Sequence, residues 1–261
     1  MNLEGAVDPL VAASRIKEHA SWYHTIEVAP GVVTPGVHDS KSGLGILDEM
    51  GLPTDCSGLR VLDIGCRDGF FAFELERRGA VVLGIDYVEP TRTGFSIVAG
   101  LLGSKARFVV ENVYDLNAET HGVFDIVLFL GVLYHLRNPM LALDKIRSVT
   151  KNGGLLFVET QMAVDPDLAA CATPAMQFFP RHDLNGDPTT KWGPNLSGLR
   201  AIVEESQFHA LSDSLHGGRG YLKAVAVEDD ALARASALDS ANCPLEPGMD
   251  TFRAWILGSG T

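Results

Sequence analysis

The segment Val61–Phe73, with the sequence VLDIGCRDGFFAF, constrains the fold of this chain more than any other stretch. Its first four residues are a short apolar run that predicts a buried strand containing Asp63. Gly65 and Gly69 bracket a tight loop, and apolar residues at helical spacing then predict a helix that ends at Gly79. A strand, a glycine-rich loop and a helix in this order form the first half of a nucleotide-binding βαβ unit.

The sequence of the loop distinguishes between several kinds of nucleotide-binding site. It lacks the G-x-G-x-x-G pattern because Arg67 stands in the place of the middle glycine, and it lacks the Lys-Ser/Thr ending of a P-loop. The pattern V-L-D-I-G-C-x-D-G instead resembles motif I of class I methyltransferases that use S-adenosylmethionine (SAM). This resemblance implies a cofactor loop made by Asp63, Gly65, Cys66, Arg67 and Gly69.

A second predicted strand, Val81–Asp86, supports a ribose-bearing cofactor. A carboxylate at the tip of this strand can accept both ribose hydroxyls, although SAM and NAD both need that contact. In SAM enzymes the loop after the third strand flanks the adenine, which makes Asn112 and Val113 candidates by position. Leu130 ends the fourth strand, and we expect it at the same cleft.

The remaining pattern predicts an α/β, Rossmann-like class I methyltransferase fold. Its mostly parallel seven-stranded sheet has an antiparallel last strand, helices on both faces and an N-terminal cap. We expect a helix at 88–102, a turn at Asn152–Gly154 before a strand at Leu155–Val158, and a terminal strand pair at Leu211–Leu215 and Tyr221–Val227.

We predict a domain organisation with three parts. Residues 1–58 form a cap or lid, residues 59–228 form the SAM-binding domain with a substrate insertion at 162–195, and residues 229–261 form a C-terminal tail. Proline and glycine pairs in the Pro30–Gly36 segment favour a wrapped, irregular cap. The cap is either a lid over the cofactor cleft or a packing arm.

The amino-acid composition limits the classes of molecule that this chain is expected to bind. The net charge of −12 and the sequence pI of about 5.0 argue against a general nucleic-acid surface, so we expect a small-molecule acceptor. No apolar run is long enough to span a membrane and no signal sequence is evident, which predicts a cytoplasmic protein. The four cysteines are scattered without a CxxC pair, which argues against a zinc site.

The turn after the fourth strand carries the candidate catalytic residues. Strand carboxyl ends bind ligands in α/β folds, which places Tyr134 and His135 at the cleft. We expect His135 to be a general base, Tyr134 to position a reactant, and Glu159 to orient His135 or bind an acceptor hydroxyl. Alternatively, His135 caps the following helix. A divalent cation held by His135 and Glu159 is a further, less favoured alternative.

Side chains outside the core motifs are candidates for the substrate side. We expect Tyr23, His24 and His38 of the cap, together with Trp192 and Asn195 of the insertion, to contact the acceptor. The alternative for Trp192 and Asn195 is a helix start, with Asn195 as the N-cap.

Four segments together carry a more specific resemblance: WYHTIE with GVVTPG, VLDIGCRDGF, FLGVLYHLRNP and LFVETQ. They resemble the family of tRNA (mo5U34) methyltransferases, which are CmoB-like enzymes related to the wobble-uridine carboxymethyltransferase. Tyr134 matches a tyrosine that helps to hold the carboxylate of carboxy-SAM. Trp22, Tyr23 and His24 stand where a lysine is found, and Lys223 is the nearest match to an arginine in the last strand.

Because the match to the residues that hold the carboxylate is incomplete, ordinary SAM and a smaller acceptor fit this chain better. Many members of the broad family resemble small-molecule or sugar O-methyltransferases, including a methylmannose polysaccharide type. Our leading hypothesis is an O-methyltransferase that moves a methyl group from SAM to a hydroxyl of a small acceptor, with a sugar or saccharide as the expected class, and releases S-adenosylhomocysteine (SAH). The alternatives are modification of the tRNA wobble uridine U34 and a non-catalytic SAM-binding partner subunit.

Overall fold

A seven-stranded sheet forms the centre of the computed structural model, which describes residues 7–38 and 40–228. The predicted tail at 229–261 lies outside these residues. Within the described ranges the strands are β1 Glu27–Ala29, β2 Val32–Val33, β3 Arg60–Ile64, β4 Val81–Asp86, β5 Arg107–Val110, β6 Phe124–Leu130, β7 Thr150–Gln161, β8 Met176–Phe178, β9 Trp192–Pro194, β10 Phe208–His216 and β11 Arg219–Ala226.

The strand order is β10, β11, β7, β6, β3, β4, β5. Strands β5, β4, β3, β6 and β7 are parallel neighbours, whereas β11 is antiparallel to both β7 and β10. The central strand β6, FDIVLFL, is buried on both faces, which explains its nearly continuous apolar sequence. The predicted fold class, including the antiparallel last strand, is therefore confirmed.

Helices cover both faces of the sheet, as α/β architecture requires. The described helices are α1 Pro9–Ile16, α2 Ser40–Glu49, α3 Phe70–Arg77, α4 Pro90–Thr93, α5 Phe95–Leu102, α6 Ala118–His121, α7 Pro139–Val149, α8 Pro166–Ala170 and α9 Leu196–Glu205. No helix in the described ranges has the length and apolar character needed to cross a bilayer.

Two apolar clusters form the core, and alternate residues of β3 contribute to each. Leu62 and Ile64 belong to one cluster together with residues of α7 and α9, whereas Val61 belongs to the other together with residues of α1, α3 and α5. Cap residues, including the buried Trp22, join the second cluster. Trp22 lies against Gly94, where an added Cβ would be 2.6 Å from its ring, so this part of the cap packs onto the domain.

Three local predictions were wrong. The helix expected at 88–102 is divided into α4 and α5 at Gly94, whose φ of +89° interrupts helical geometry. Asn152–Gly154 does not turn the chain but lies within β7, because a register shift opposite Phe124 accommodates the extra residues. The Pro30–Gly36 segment is partly regular, since β1 and β2 form a small antiparallel hairpin.

Candidate active site

The loop between β3 and α3 has the sharp geometry that its sequence predicts. Gly65 and Gly69 have φ values of +74° and +92°, and Arg67 between them also has a positive φ of 52°. A Cβ at Gly65 would lie 2.5 Å from the Val132 side chain, so only glycine brings this loop so close to the end of β6. The side chain of Cys66 is buried against Gly84, and burial raises the pKa of its thiol.

Asp86, the last residue of β4, forms hydrogen bonds that hold this loop at the end of the strand. Its Oδ2 accepts the Arg67 backbone N–H at 3.1 Å, and its Oδ1 accepts that of Val88 at 2.9 Å. The side chain is buried, yet each carboxylate oxygen can accept more than one hydrogen bond. Asp86 can therefore shape the loop and still accept the hydroxyls of a bound ribose.

Asp63 is a second buried carboxylate at the same edge. Burial raises its pKa to about 7, the charge of Asp86 adds to this rise, and a backbone hydrogen bond from Ala72 opposes it. Its Oδ2 has no hydrogen-bond partner within the described part of the chain. A buried acceptor without a partner costs free energy, so this oxygen fits a site that a hydrogen-bond-donating ligand completes.

The ends of the neighbouring parallel strands meet at this edge. Glu111 donates its backbone N–H to the Asp86 carbonyl at 3.0 Å, which brings the end of β5 beside β4. Asn112 follows and caps a short turn by accepting the Tyr114 N–H at 3.1 Å, while Val113 is buried. The predicted cofactor residues thus lie on the carboxyl ends of adjacent strands, although their contacts to a cofactor stay predictions.

A cavity of about 460 Å³ lies beside the end of β6. The cap, the strand ends and the terminal hairpin each contribute to its wall. The lining residues are Tyr23, His24, His38, Ser40, Ser42, Gly43, Ile46, Leu47, Phe71, Leu130, Gly131, Tyr134, Glu159, His216, Gly217, Arg219 and Tyr221. The fold thus brings together six residues that the sequence singled out: Tyr23, His24, His38, Leu130, Tyr134 and Glu159.

Glu159 and Arg219 form an ion pair in the cavity wall. Arg219 donates from Nη2 to Oε2 at 2.9 Å and from Nε to Oε1, and its guanidinium lies 4.5 Å from the centre of the Tyr134 ring. Burial lowers the pKa of Arg219, but the hydrogen bonds and charge of Glu159 outweigh this and raise it above its ordinary value. Glu159 therefore engages Arg219, a residue that our sequence analysis did not identify.

Lys223, the nearest match to the arginine in the last strand, does not line the cavity. Its Nζ donates to the Gly51 carbonyl at 3.3 Å, outside the cavity lining. Four residues along a strand correspond to roughly 13 Å, which explains why Arg219 reaches the carboxyl edge and Lys223 does not. The position of Arg219 directly after the Gly217–Gly218 turn was the available sequence signal.

Asp68 is another functional candidate that the sequence analysis missed. This fully buried carboxylate accepts the backbone N–H groups of Tyr23 at 2.9 Å and of His24 at 2.8 Å. Its other oxygen pairs with Nδ1 of the His24 ring. One residue of the glycine-rich loop thereby holds the cap segment against the cavity.

His135 lies next to Tyr134 in a 3-10 turn, but it does not line this cavity. The centroids of the two rings are 3.9 Å apart. From the insertion, the Thr189 backbone forms a hydrogen bond with the His135 ring, and the Asp187 carboxylate interacts with it electrostatically. Burial lowers the pKa of His135, while the Thr189 backbone hydrogen bond and the Asp187 charge oppose that change. Its predicted role as a base stays a prediction.

Trp192 and Asn195 have structural roles in the insertion. Trp192 is buried in the core and donates its Nε1–H to the Leu136 carbonyl at 2.8 Å. Asn195 is the N-cap of α9 and accepts the Gly198 N–H at 2.8 Å, which confirms the alternative interpretation of this residue. Neither side chain lines the cavity.

The described residues contain no group of three or more His, Cys, Asp or Glu side chains arranged to hold a metal ion. Both Glu159 carboxylate oxygens accept hydrogen bonds from Arg219. The geometry therefore gives no particular support to a cation held by His135 and Glu159.

Comparison with known proteins shows two kinds of relatives. The chain is 34% identical over 122 residues to a tRNA U34 carboxymethyltransferase of Actinobacillus pleuropneumoniae, covering 45% of this chain and 37% of the relative. It is 35% identical over 115 residues to a ubiquinone biosynthesis O-methyltransferase of Xanthomonas oryzae, covering 44% of this chain and 48% of the relative. The chain thus matches less than half the length of either relative.

The fold also resembles the N-terminal domain of EvdMO1, solved in the presence of SAH and D-fucose. That comparison has a TM-score of 0.57 at 21% identity and covers 85% of this chain and 97% of the other. Residues 45–205 match the model of a family described as "Methyltransferase domain". This match covers more than half of the sequence and includes the glycine-rich loop, the strand ends and the insertion, so the chain belongs to the methyltransferase-domain family.

Proposed function

We propose that this chain is a SAM-dependent O-methyltransferase that acts on a hydroxyl of a small acceptor, with a saccharide as the favoured class. The observation that carries the proposal is that the glycine-rich loop, which Asp86 holds at the Arg67 N–H, contacts His24 of the 460 Å³ cavity wall through Asp68. Group transfer requires a cofactor site and an acceptor cavity that lie next to each other, here at the same edge of the sheet.

The residues around the loop fit SAM chemically. Asp63 offers a buried oxygen without a partner, Asp86 offers its remaining acceptor capacity, and Gly65 and Gly69 leave the backbone accessible. The bound cofactor would supply an electrophilic methyl group on a positively charged sulfur. The chain's own residues would align the acceptor oxygen with that methyl group and receive the hydroxyl proton.

The cavity lining favours a small, polar and uncharged acceptor. The lining combines the aromatic side chains of Tyr23, Phe71, Tyr134 and Tyr221 with histidines, serines and the Glu159–Arg219 pair. Aromatic faces with a few placed polar groups are typical of small-molecule sites. The solved structure of similar fold with SAH and D-fucose adds support for a saccharide.

A screen of saccharides and other hydroxylated metabolites with methyl-labelled SAM tests this function. We expect transfer of label to at least one neutral hydroxylated compound and binding of SAH to the purified protein. The product of a positive reaction should show a methyl ether by mass spectrometry and NMR. Binding of SAH without transfer to any compound in a broad screen would count against the proposed acceptor class.

Modification of tRNA is the second candidate, and it is favoured by the relatives named tRNA U34 carboxymethyltransferase. Arg219 is the one lysine or arginine among the described lining residues, and Glu159 neutralises it. Tight tRNA binding depends on unpaired basic side chains and weakens with salt. A salt-sensitive complex with tRNA, together with carboxymethylation of U34 from carboxy-SAM, would replace the small-acceptor proposal.

A further inference from the structure

We propose that His24, oriented by Asp68, accepts the proton of the acceptor hydroxyl. This inference rests on the proposed function and assigns the proton transfer to the cap segment. His24 lines the cavity, and its Nδ1 pairs with a carboxylate that has no exposed surface. The pair brings a residue of the cap into contact with the cofactor loop.

The hydrogen bond to Asp68 determines which ring nitrogen of His24 can accept the acceptor's proton. Asp68 is acceptor-only when ionised, and it also receives the backbone N–H groups of Tyr23 and His24. The Nδ1 of His24 must therefore carry the proton shared with Asp68, which leaves the lone pair of a neutral ring on Nε2. A buried carboxylate behind an imidazole also stabilises the imidazolium that forms when Nε2 takes a proton.

Other groups in the cavity wall are less suited to this task. Burial raises the pKa values of Tyr23 and Tyr221 to about 12, so both phenols stay protonated near neutral pH. Glu159 is engaged by Arg219. Burial, followed by the nearby His24 and Arg219, lowers the pKa of His38, which makes His38 a weaker base.

The charged and titratable groups that face His24 come from several elements. Asp68 approaches from the cofactor loop, and Tyr23 and His38 approach from the cap, with the Tyr23 ring 4.7 Å from the His24 ring. Arg67 of the cofactor loop lies over the Tyr23 ring, and Glu159 and Arg219 line the cavity from β7 and β11. Glu159 and Arg219 pair with each other, whereas Asp68 pairs directly with the His24 ring.

The proposed step balances as a displacement. The acceptor O–H bond breaks and its proton moves to Nε2 of His24. The oxygen forms a bond to the methyl carbon while the carbon–sulfur bond breaks, and that electron pair stays on sulfur. The products are a methyl ether, SAH and an imidazolium paired with Asp68, which later releases its proton to solvent.

The tautomer of His24 can be measured without knowing the acceptor. Protein labelled with ¹⁵N-histidine is examined by long-range ¹H–¹⁵N NMR, and His24→Gln identifies the His24 signals among the eight histidines. We expect the neutral ring to carry its proton on Nδ1 at high pH. A neutral ring protonated on Nε2 would overturn the proposal, because that nitrogen could not accept a proton.

Kinetics test the role itself with the acceptor that the screen identifies. We expect His24→Gln to lower kcat/KM by roughly 10²- to 10⁴-fold, with SAH affinity from calorimetry changed less than about threefold. His209→Gln, at an exposed position on β10, is the matched control and should keep wild-type activity. A large loss in His135→Gln with near-normal His24→Gln would instead assign the base to His135.

Two further variants separate a chemical role from a structural one. Asp68→Asn keeps an oxygen acceptor for the backbone N–H groups but removes the charge that orients the His24 ring and stabilises its imidazolium, so kcat/KM should fall while SAH affinity stays near the wild-type value. Imidazole added to His24→Ala should restore part of the activity. Near-normal activity of Asp68→Asn, together with no rescue by imidazole, would mean that the pair only holds the cap. Failure of wild-type protein to bind SAH would instead refute the proposed function.

Discussion

Replacing Asp63 by asparagine should stabilise the protein above neutral pH. Asp63 is buried with 3% exposure, and its pKa rises from 3.8 to about 7 in the folded protein. The folded protein therefore binds this proton more tightly than the unfolded chain does. The resulting stabilisation is complete below about pH 4 and is lost as pH rises towards 7.

The size of this effect follows from the difference in pKa. Each pKa unit corresponds to about 1.4 kcal/mol, so the change from 3.8 to about 7 corresponds to a destabilisation of ~4 kcal/mol at pH 8. Asparagine has nearly the same shape and no charge to bury. We therefore expect the Asp63→Asn variant to gain up to ~4 kcal/mol over wild type at pH 8 and little at pH 4.

Urea denaturation followed by circular dichroism at pH 4, 6 and 8 measures this difference directly. The control is Asp55→Asn, because Asp55 is exposed and accepts the Ser57 backbone N–H at 2.9 Å in a turn that asparagine can also form. We expect no pH-dependent gain in that variant. A difference between Asp63→Asn and wild type that is constant with pH, or that favours wild type increasingly as pH rises, would refute the reasoning.

Three further substitutions test the site. Asp86→Ala should weaken SAH binding ten- to a hundredfold in calorimetry, since hydrogen bonds to a charged acceptor contribute about 1.5–3 kcal/mol; unchanged affinity in folded protein would mean that the ribose lies elsewhere. Gly69→Ala should lower the free energy of unfolding by about 1–3 kcal/mol, because its Cβ would lie 2.4 Å from a phenylalanine ring, whereas Gly45→Ala meets open space and should not destabilise. Arg219→Gln should cost on the order of 2 kcal/mol by leaving a buried carboxylate unpaired; Arg77→Gln, at an exposed ion pair, is the control in the same thermal melts and should be nearly neutral.

The sequence was most informative where short-range patterns determine structure. Strand β4 spans the predicted residues Val81–Asp86, and α3 starts directly after Gly69. These features depend on apolar periodicity and on backbone conformations that glycine favours, which neighbouring residues largely determine. The cofactor edge could therefore be assembled from local motifs and the rule that parallel strands align their carboxyl ends.

The acceptor cavity depends on contacts between distant residues, which single-sequence patterns do not reveal. His24 and Asp68 are 44 positions apart, and Glu159 and Arg219 are 60 positions apart. Each partner alone resembles an ordinary loop or strand residue. Asn195 shows the opposite case, because the local N-cap pattern was the stronger signal and the structure follows it.

The position of Asp68 links cofactor binding to the acceptor side of the site. Asp68 belongs to the loop that Asp86 fastens through the Arg67 backbone N–H, and the same Asp68 fixes both the backbone and the ring of His24. A ligand that orders this loop should therefore also reduce the motion of the His24 ring. The cap, which the sequence suggested as a lid or a packing arm, supplies both packing through Trp22 and polar residues to the cavity wall. We expect SAH to slow hydrogen exchange in both the loop and the cap segment, and slowing confined to the loop would contradict this coupling.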